Sequence, residues 1–97
     1  MTGHEHIVYI LKCKDNTFYT GYTNDLAHRL KMHTEGKGAK YTRGRGPFQV
    51  VYLERFPTKE AAMKKEYEVK QRSRKEKLQL IRTMLKEVNH NEHSKEL

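Results

Sequence analysis

Five side chains with more chemistry than packing requires recur at suggestive intervals in this sequence: Tyr9, Tyr19, Arg29, His33 and Glu66. Glu66 is the sharpest signal. The helical spacing of Ala62, Glu66 and Val69, with Met63 at the edge, puts a carboxylate in the middle of an apolar stripe. A buried, unpaired carboxylate costs several kcal/mol or takes up a proton, so a cation has to meet it. Arg, Lys or a metal ion would serve, and an ion pair with one of the twenty Lys and Arg residues is the plainest form of that requirement.

Arg29 and His33 stand four residues apart, hence on one helix face, flanking Leu26 and Leu30. Tyr9 and Tyr19 belong to two candidate strands and fall opposite each other, within about a residue, if the chain turns at Asp15-Asn16. Singly, each has an ordinary explanation: a surface histidine, an arginine stem, a core tyrosine bonded at a sheet edge. Together they ask for one common site.

For these groups to meet, the elements must bring them there. Residues 7–13 are rich in β-branched and aromatic types, with Ile7, Tyr9, Leu11 and Cys13 on one face and Val8 and Ile10 on the other. Both faces are apolar, which predicts a central strand. Asp15-Asn16 tolerates the left-handed angles of a tight turn, and 18–23 returns as the second hairpin strand, with Gly21 marking a close approach. Asn24 caps a helix reaching about residue 33, its buried stripe Leu26, Ala27 and Leu30. Residues 35–47 hold four of the six glycines and four basic residues, an exposed loop expected to be mobile until a ligand orders it. Residues 48–56 form a third strand, burying Val50, Val51, Tyr52 and Leu53 on its two sides. Thr58 caps a second helix to about residue 71. Ser73 and Glu76 have capping-box spacing for a third helix with the stripe Leu78, Ile81, Leu85 and Val88. The order β-β-α-β-α-α predicts an α+β fold: a small three-stranded, mostly antiparallel sheet flanked by helices. One domain over 7–88 is expected between disordered ends, 1–6 and 89–97.

Composition narrows the partners. At 97 residues, 35% apolar and 33% charged, the chain has too little core for a large internal ligand cavity and no run able to span a bilayer. A net charge of +8 and a pI near 9.7 favour a polyanion, nucleic acid ahead of anionic lipid. The lone Cys13 excludes an internal disulfide and a multi-cysteine zinc site, and suits a reducing compartment. The first residues lack the pattern of a secretory signal, so a cytoplasmic location is expected. His4, His6, His90 and His93 fall in the expected tails and His28 faces solvent; none reads as a ligand.

The motifs themselves resemble a known family. Val8-Tyr9-Ile10 followed by Tyr19-Thr20-Gly21 resembles the paired signature of the GIY-YIG nuclease superfamily. Arg29 matches its arginine, His33 the His or Tyr four residues on, and Ala62 to Glu66 its Ala-x-x-x-Glu helix. The resemblance runs from about residue 7 to 82 and is nearest to small stand-alone bacterial members, in which Gly-Lys-Gly-Ala-Lys-Tyr-Thr, here residues 36–42, follows the first helix. Val8 stands for the first Gly and Thr20 for the central Ile. Gln71-Arg72-Ser73-Arg74 occupies the region where many family nucleases carry an Asn, and Tyr22 the place of a Lys in repair-type relatives.

The resemblance implies phosphodiester hydrolysis with one divalent ion, Mg²⁺ or Mn²⁺, and a catalytic set of Tyr9, Tyr19, Gly21, Arg29, His33 and Glu66. One carboxylate plus water and phosphate oxygens suits Mg²⁺, which makes Glu66 the implied metal ligand. Arg29 would neutralise charge on the phosphate. Either Tyr9 or Tyr19 would relay the proton of the attacking water, with Arg29 or the metal lowering its pKa and His33 orienting it or taking its proton.

The glycine-rich loop offers Lys37, Lys40, Tyr41, Arg43 and Arg45 without an intervening acid, a mixture suited to phosphate neutralisation and base stacking. Lys70, Arg72, Arg74, Lys75 and Lys77 add a second basic run, offset by Glu68 and Glu76. The expectation is a structure-selective or weakly specific metal-dependent endonuclease acting on DNA in preference to RNA. It is expected to be a monomer, off the membrane, with a protein partner for targeting as an open option. The alternative is a nucleic-acid-binding module with the nuclease fold and little or no catalysis. A ribosome-type structural protein would explain the charge but not Glu66 or the tyrosine pair.

Overall fold

The computed structural model describes residues 5–39 and 42–96, from residue 86 onward as backbone only. Residues 1–4, Lys40, Tyr41 and Leu97 lie outside the described residues, as do the side chains of Val88, His90 and His93.

Three antiparallel strands, β1 (His6–Lys12), β2 (Phe18–Thr23) and β3 (Gln49–Phe56), form a sheet in the order β2-β1-β3. The doubly apolar strand is central, as its two-faced pattern requires. Asn16, at φ 68°, makes the left-handed turn between β1 and β2, and Asp15 Oδ1 steadies it by accepting from the Thr17 amide at 3.2 Å. One sheet face carries Val8, Ile10 and Tyr52 against Ala62, Val69 and Ile81. The other carries Ile7, Tyr9 and Leu11 against Leu26, Leu30 and Phe48. A bulge lets β3 serve both: Tyr52 pairs with Ile10 and Val50 with Leu11, so Val51 is the extra residue. Val51 and Tyr52 then pack with the first cluster while Val50 and Leu53 pack with the second.

Helix α1 (Leu26–Thr34) packs on the Tyr9 face, while α2 (Lys59–Gln71) and α3 (Arg74–Glu96) cover the Val8 face. Asp25, rather than Asn24, caps α1, accepting the His28 amide at 3.2 Å, because Thr23 Oγ1 holds the Asp25 amide at 3.0 Å and turns the chain one residue later. Thr58 caps α2 through the Ala61 amide at 3.1 Å. The capping box of α3 closes in both directions: the Ser73 amide donates to Glu76 Oε1 at 2.9 Å and the Glu76 amide to Ser73 Oγ at 3.2 Å.

The structure differs from the sequence reading at several points, among them Ala27, which is exposed rather than part of the buried α1 stripe. The inward side of α3 is Leu80, Ile81 and Met84, with Leu85 56% exposed, since the Leu53 amide on β3 points at Met84 Sδ, 3.3 Å away. Met63 is 41% exposed and leaves the α2 stripe. At the ends, Glu5 pairs with Arg55 at 2.9 Å and His6 opens β1, where its Nδ1 lies 2.8 Å from the Tyr22 hydroxyl; the α3 backbone is helical through Glu96, over most of the segment read as a tail.

Candidate functional site

The site begins with a register. Tyr9 pairs with Gly21, and Leu11 with Tyr19, so the two tyrosines are diagonal neighbours two residues out of step rather than opposed. Their ring centroids are 6.3 Å apart at 50°. The offset leaves Gly21 directly beside Tyr9, whose ring crosses edge strand β2 over the bare glycine: a Cβ there would stand 2.5 Å from the Tyr9 hydroxyl and 3.0 Å from Tyr19 Cε2. Gly21 is therefore needed for space, and it aims Tyr9 at α1.

The Tyr9 hydroxyl lies 3.0 Å from His33 Nε2, and His33 Nδ1 lies 2.9 Å from Thr42 Oγ1, which itself bonds the Ala39 carbonyl at 2.8 Å. A carbonyl only accepts, which fixes every proton in the chain. Thr42 donates to Ala39 and accepts from His33 Nδ1–H, leaving Nε2 as the acceptor for Tyr9 O–H. Tyr9, His33 and Thr42 are 0%, 1% and 1% exposed. Burial, and then the neighbouring Arg29 charge, hold the His33 pKa below its usual value, so the ring is neutral. Gly38 packs so closely on the imidazole that a side chain there would strike Nδ1.

Arg29, one turn back on α1, lies close enough to Tyr9 and Tyr19 for each phenol to stabilise its charge, while its Nε is buried without a partner. The sequence reading expects this cation to lower a tyrosine pKa. At Tyr9 burial outweighs Arg29, and the pKa is pushed up to about 12. Tyr9 is thus a poor source of free phenolate, and an outlet for its proton matters more than its own acidity.

Glu66 comes from α2, whose Ala62 and Val69 pack on the opposite sheet face. Its charge is felt at the Tyr9 hydroxyl, where it opposes ionisation. Its side chain is 13% exposed and meets Lys70 Nζ at 3.2 Å, the lysine form of the required cation. Among the described residues no group of three or more His, Cys, Asp or Glu is arranged to hold a metal ion. A lone, partly open carboxylate holds Mg²⁺ or Mn²⁺ weakly with water alone and more tightly where phosphate oxygens complete the shell, and Glu66 has that character.

The basic loop is folded rather than loose over its described part. The Lys37 amide bonds the Met32 carbonyl at 2.8 Å, the Arg45 amide bonds the Thr42 carbonyl at 3.2 Å, and the Lys14 amide bonds the Arg45 carbonyl at 2.8 Å. Its cations are partly committed: Lys37 faces Glu35 at 3.9 Å, and the Arg45 guanidinium is paired with Asp15. Arg43 is exposed, and Lys40 and Tyr41 lie outside the described residues. Thr42 and Gly38, which hold His33, are marked in the sequence only by lying in the 36–42 motif, and Lys70, which pairs with Glu66, only as one cation of the second basic run. No helix among the described residues is long and apolar enough to cross a membrane.

Comparison with known proteins shows the family and the fold. Residues 5–79 match the GIY-YIG catalytic domain. A UPF0213 protein of Oceanobacillus iheyensis is 62% identical over 79% of this chain and 90% of its own, and one of Clostridium perfringens 55% identical over 86% and 90%. The solution NMR structure of a UPF0213 protein from Bacillus halodurans superimposes with a TM-score of 0.56 at 59% identity, covering 81% of this chain and 84% of that one. A second NMR structure, of a protein from E. faecalis, gives 0.60 at 40% identity over 82% and 85%.

Proposed function

The chain belongs to the GIY-YIG catalytic domain family, and from that membership we propose that it is a metal-dependent endonuclease acting on DNA, structure-selective or weakly specific in its choice of substrate. The observation that carries this reading is the hydrogen-bonded row Tyr9–His33–Thr42 beside Arg29 and Glu66. It is a proton path ending in a neutral base.

In this reading Arg29 leaves the tyrosine hydroxyls for a phosphate oxygen and so uncovers Tyr9. As water attacks phosphorus, its proton passes to the Tyr9 oxygen while the Tyr9 proton passes to His33 Nε2. The phosphorus bond to the leaving oxygen breaks, and that oxygen is protonated from solvent. Concerted transfer avoids a free phenolate, which a pKa of about 12 disfavours. Glu66 would hold the divalent ion, whose contribution when bound is to polarise the phosphate and stabilise charge on the leaving oxygen. The protein acts in the cytoplasm as a monomer.

Purified protein with Mg²⁺ or Mn²⁺ should nick flap, branched or single-stranded DNA, and Glu66→Gln should stop nicking while leaving binding intact. The pairing of Glu66 with Lys70 favours the second reading, a binding module whose carboxylate is already neutralised. Wild-type protein that binds this panel and cuts none of it would establish that reading instead.

A further inference from the structure

The second basic run does not act as one surface. Arg72 is tied to Glu68 at 3.1 Å, and Lys65 to the same carboxylate at 3.1 Å. Arg74 and Lys77 have no acid partner among the described residues, and both turn toward β2. Arg74 lies over the Phe18 ring, 4.5 Å from its centroid. Lys77 and Lys70 close a hollow of about 350 Å³ floored by Phe18, Tyr19 and Thr20, and a second, smaller hollow continues from it past Lys77 to Arg74. Among the described residues no acid lines either hollow.

Two further features say what enters. Thr20 is 4% exposed, and its Oγ1 is buried without a hydrogen-bond partner, a donor left unmet at the hollow's floor. β2 is an edge strand, so its outer side pairs with no other strand. Cations above a floor that holds a hydroxyl without a partner suit an oxyanion. The hollow opens beside Tyr19 and, through Lys70, beside Glu66, at the mouth of the site just described.

We propose that this groove between β2 and the α2–α3 junction is the track for the nucleic-acid strand running out of the catalytic site. Lys77 and Arg74 hold phosphates neighbouring the scissile one, and Lys70 stands at the inner end. The proposal rests on the nuclease reading for the identity of the strand, and it moves the main phosphate contacts away from the glycine-rich loop. There two cations already have acid partners. Burial lowers the Lys77 pKa, which a phosphate neighbour would reverse.

The test is binding of a fluorescein-labelled branched DNA, read by anisotropy across a salt series, in the Glu66→Gln background so that cleavage plays no part. Lys77→Gln combined with Arg74→Gln should weaken binding at least tenfold and lower the salt slope by about 2, near 0.9 for each phosphate left without its cation. Lys59→Gln with Arg82→Gln, the same charge change at exposed positions off the groove, should move both far less. Circular dichroism separates folding failure from weakened phosphate binding, and Lys77→Arg, which keeps the charge, should restore affinity. Equal losses in the two double variants would overturn the groove while leaving the nuclease reading intact. Full groove-dependent binding in a protein that never nicks DNA would do the reverse. No binding to any nucleic acid would remove both.

Discussion

The hydroxyl of Tyr9 and the Nε2 of His33, on different elements and both closed off from solvent, meet at 3.0 Å with the proton on the tyrosine. Thr42 decides that direction, because its own proton is committed to Ala39 and it can only accept from His33 Nδ1. Thr42→Val keeps the volume and removes the acceptor. It should cost about 1–3 kcal/mol of stability by stranding the Nδ1 proton. It should lower nicking by about tenfold or more, since the tautomer that receives the Tyr9 proton loses its lock. Thr42→Ser should restore both, which separates a positioning role from mere packing.

His33 also predicts a pH dependence of stability. Its folded pKa lies below the ordinary 6.5, so the unfolded chain binds the proton first as pH falls. The neutral histidine therefore costs nothing above about 6.5. Stability declines as pH drops from there toward the folded pKa and then levels off. Melting temperatures between pH 8 and 5 should show the decline in wild type and a shallower one in His33→Gln. Nicking should hold through most of that window and fall only as the pH passes through the folded pKa of His33, since a protonated His33 cannot receive the Tyr9 proton.

Why some of this was readable beforehand and some was not is a matter of range. The alternation of residues 7–13 reports both faces of β1, because a strand's side chains obey a two-residue period whatever surrounds it. The Arg29 and His33 pairing and the Ser73–Glu76 box are likewise local geometry. Glu66 stood out because a carboxylate broke an apolar period. The tyrosine offset is hidden by hairpin register: Cys13 and Thr17 pair across the turn, which sets Leu11 opposite Tyr19 and Tyr9 opposite Gly21. The role of Thr42 is hidden more deeply: the 36–42 motif is visible, but nothing in it says that its threonine folds back nine residues onto a histidine.

Gly21→Ala tests the crossing of Tyr9 over β2. The added methyl would sit 2.5 Å from the Tyr9 oxygen, and the buried ring has little freedom to withdraw. We expect a loss of about 1–3 kcal/mol, read as a lower urea midpoint. Nicking should fall much further than that loss explains, because the displaced hydroxyl leaves both His33 and Arg29. A variant with full activity would show that the close approach is not needed.

Arg29→Lys keeps the charge and removes the fork. One ammonium cannot reproduce, first at the phenols and then at the phosphate, the planar fork of a guanidinium. The rate should fall about a hundredfold or more, as for loss of a transition-state donor, with DNA affinity nearly unchanged. If affinity falls as far as the rate, Arg29 is a ground-state anchor and not a transition-state contact.

Lys70 makes the sharpest claim about Glu66. The ammonium lies 3.2 Å from one carboxylate oxygen, where an incoming divalent cation would be repelled and would have to displace it. Lys70→Gln removes that competitor, and Mn²⁺ should then bind several-fold more tightly by calorimetry without any nucleic acid present. In the Lys70→Gln, Glu66→Gln double variant the gain should vanish, since the carboxylate is what the lysine guards. A Lys70→Gln protein with unaltered Mn²⁺ affinity would place the ion elsewhere, and Glu66 would then be the structural half of an ordinary helix ion pair.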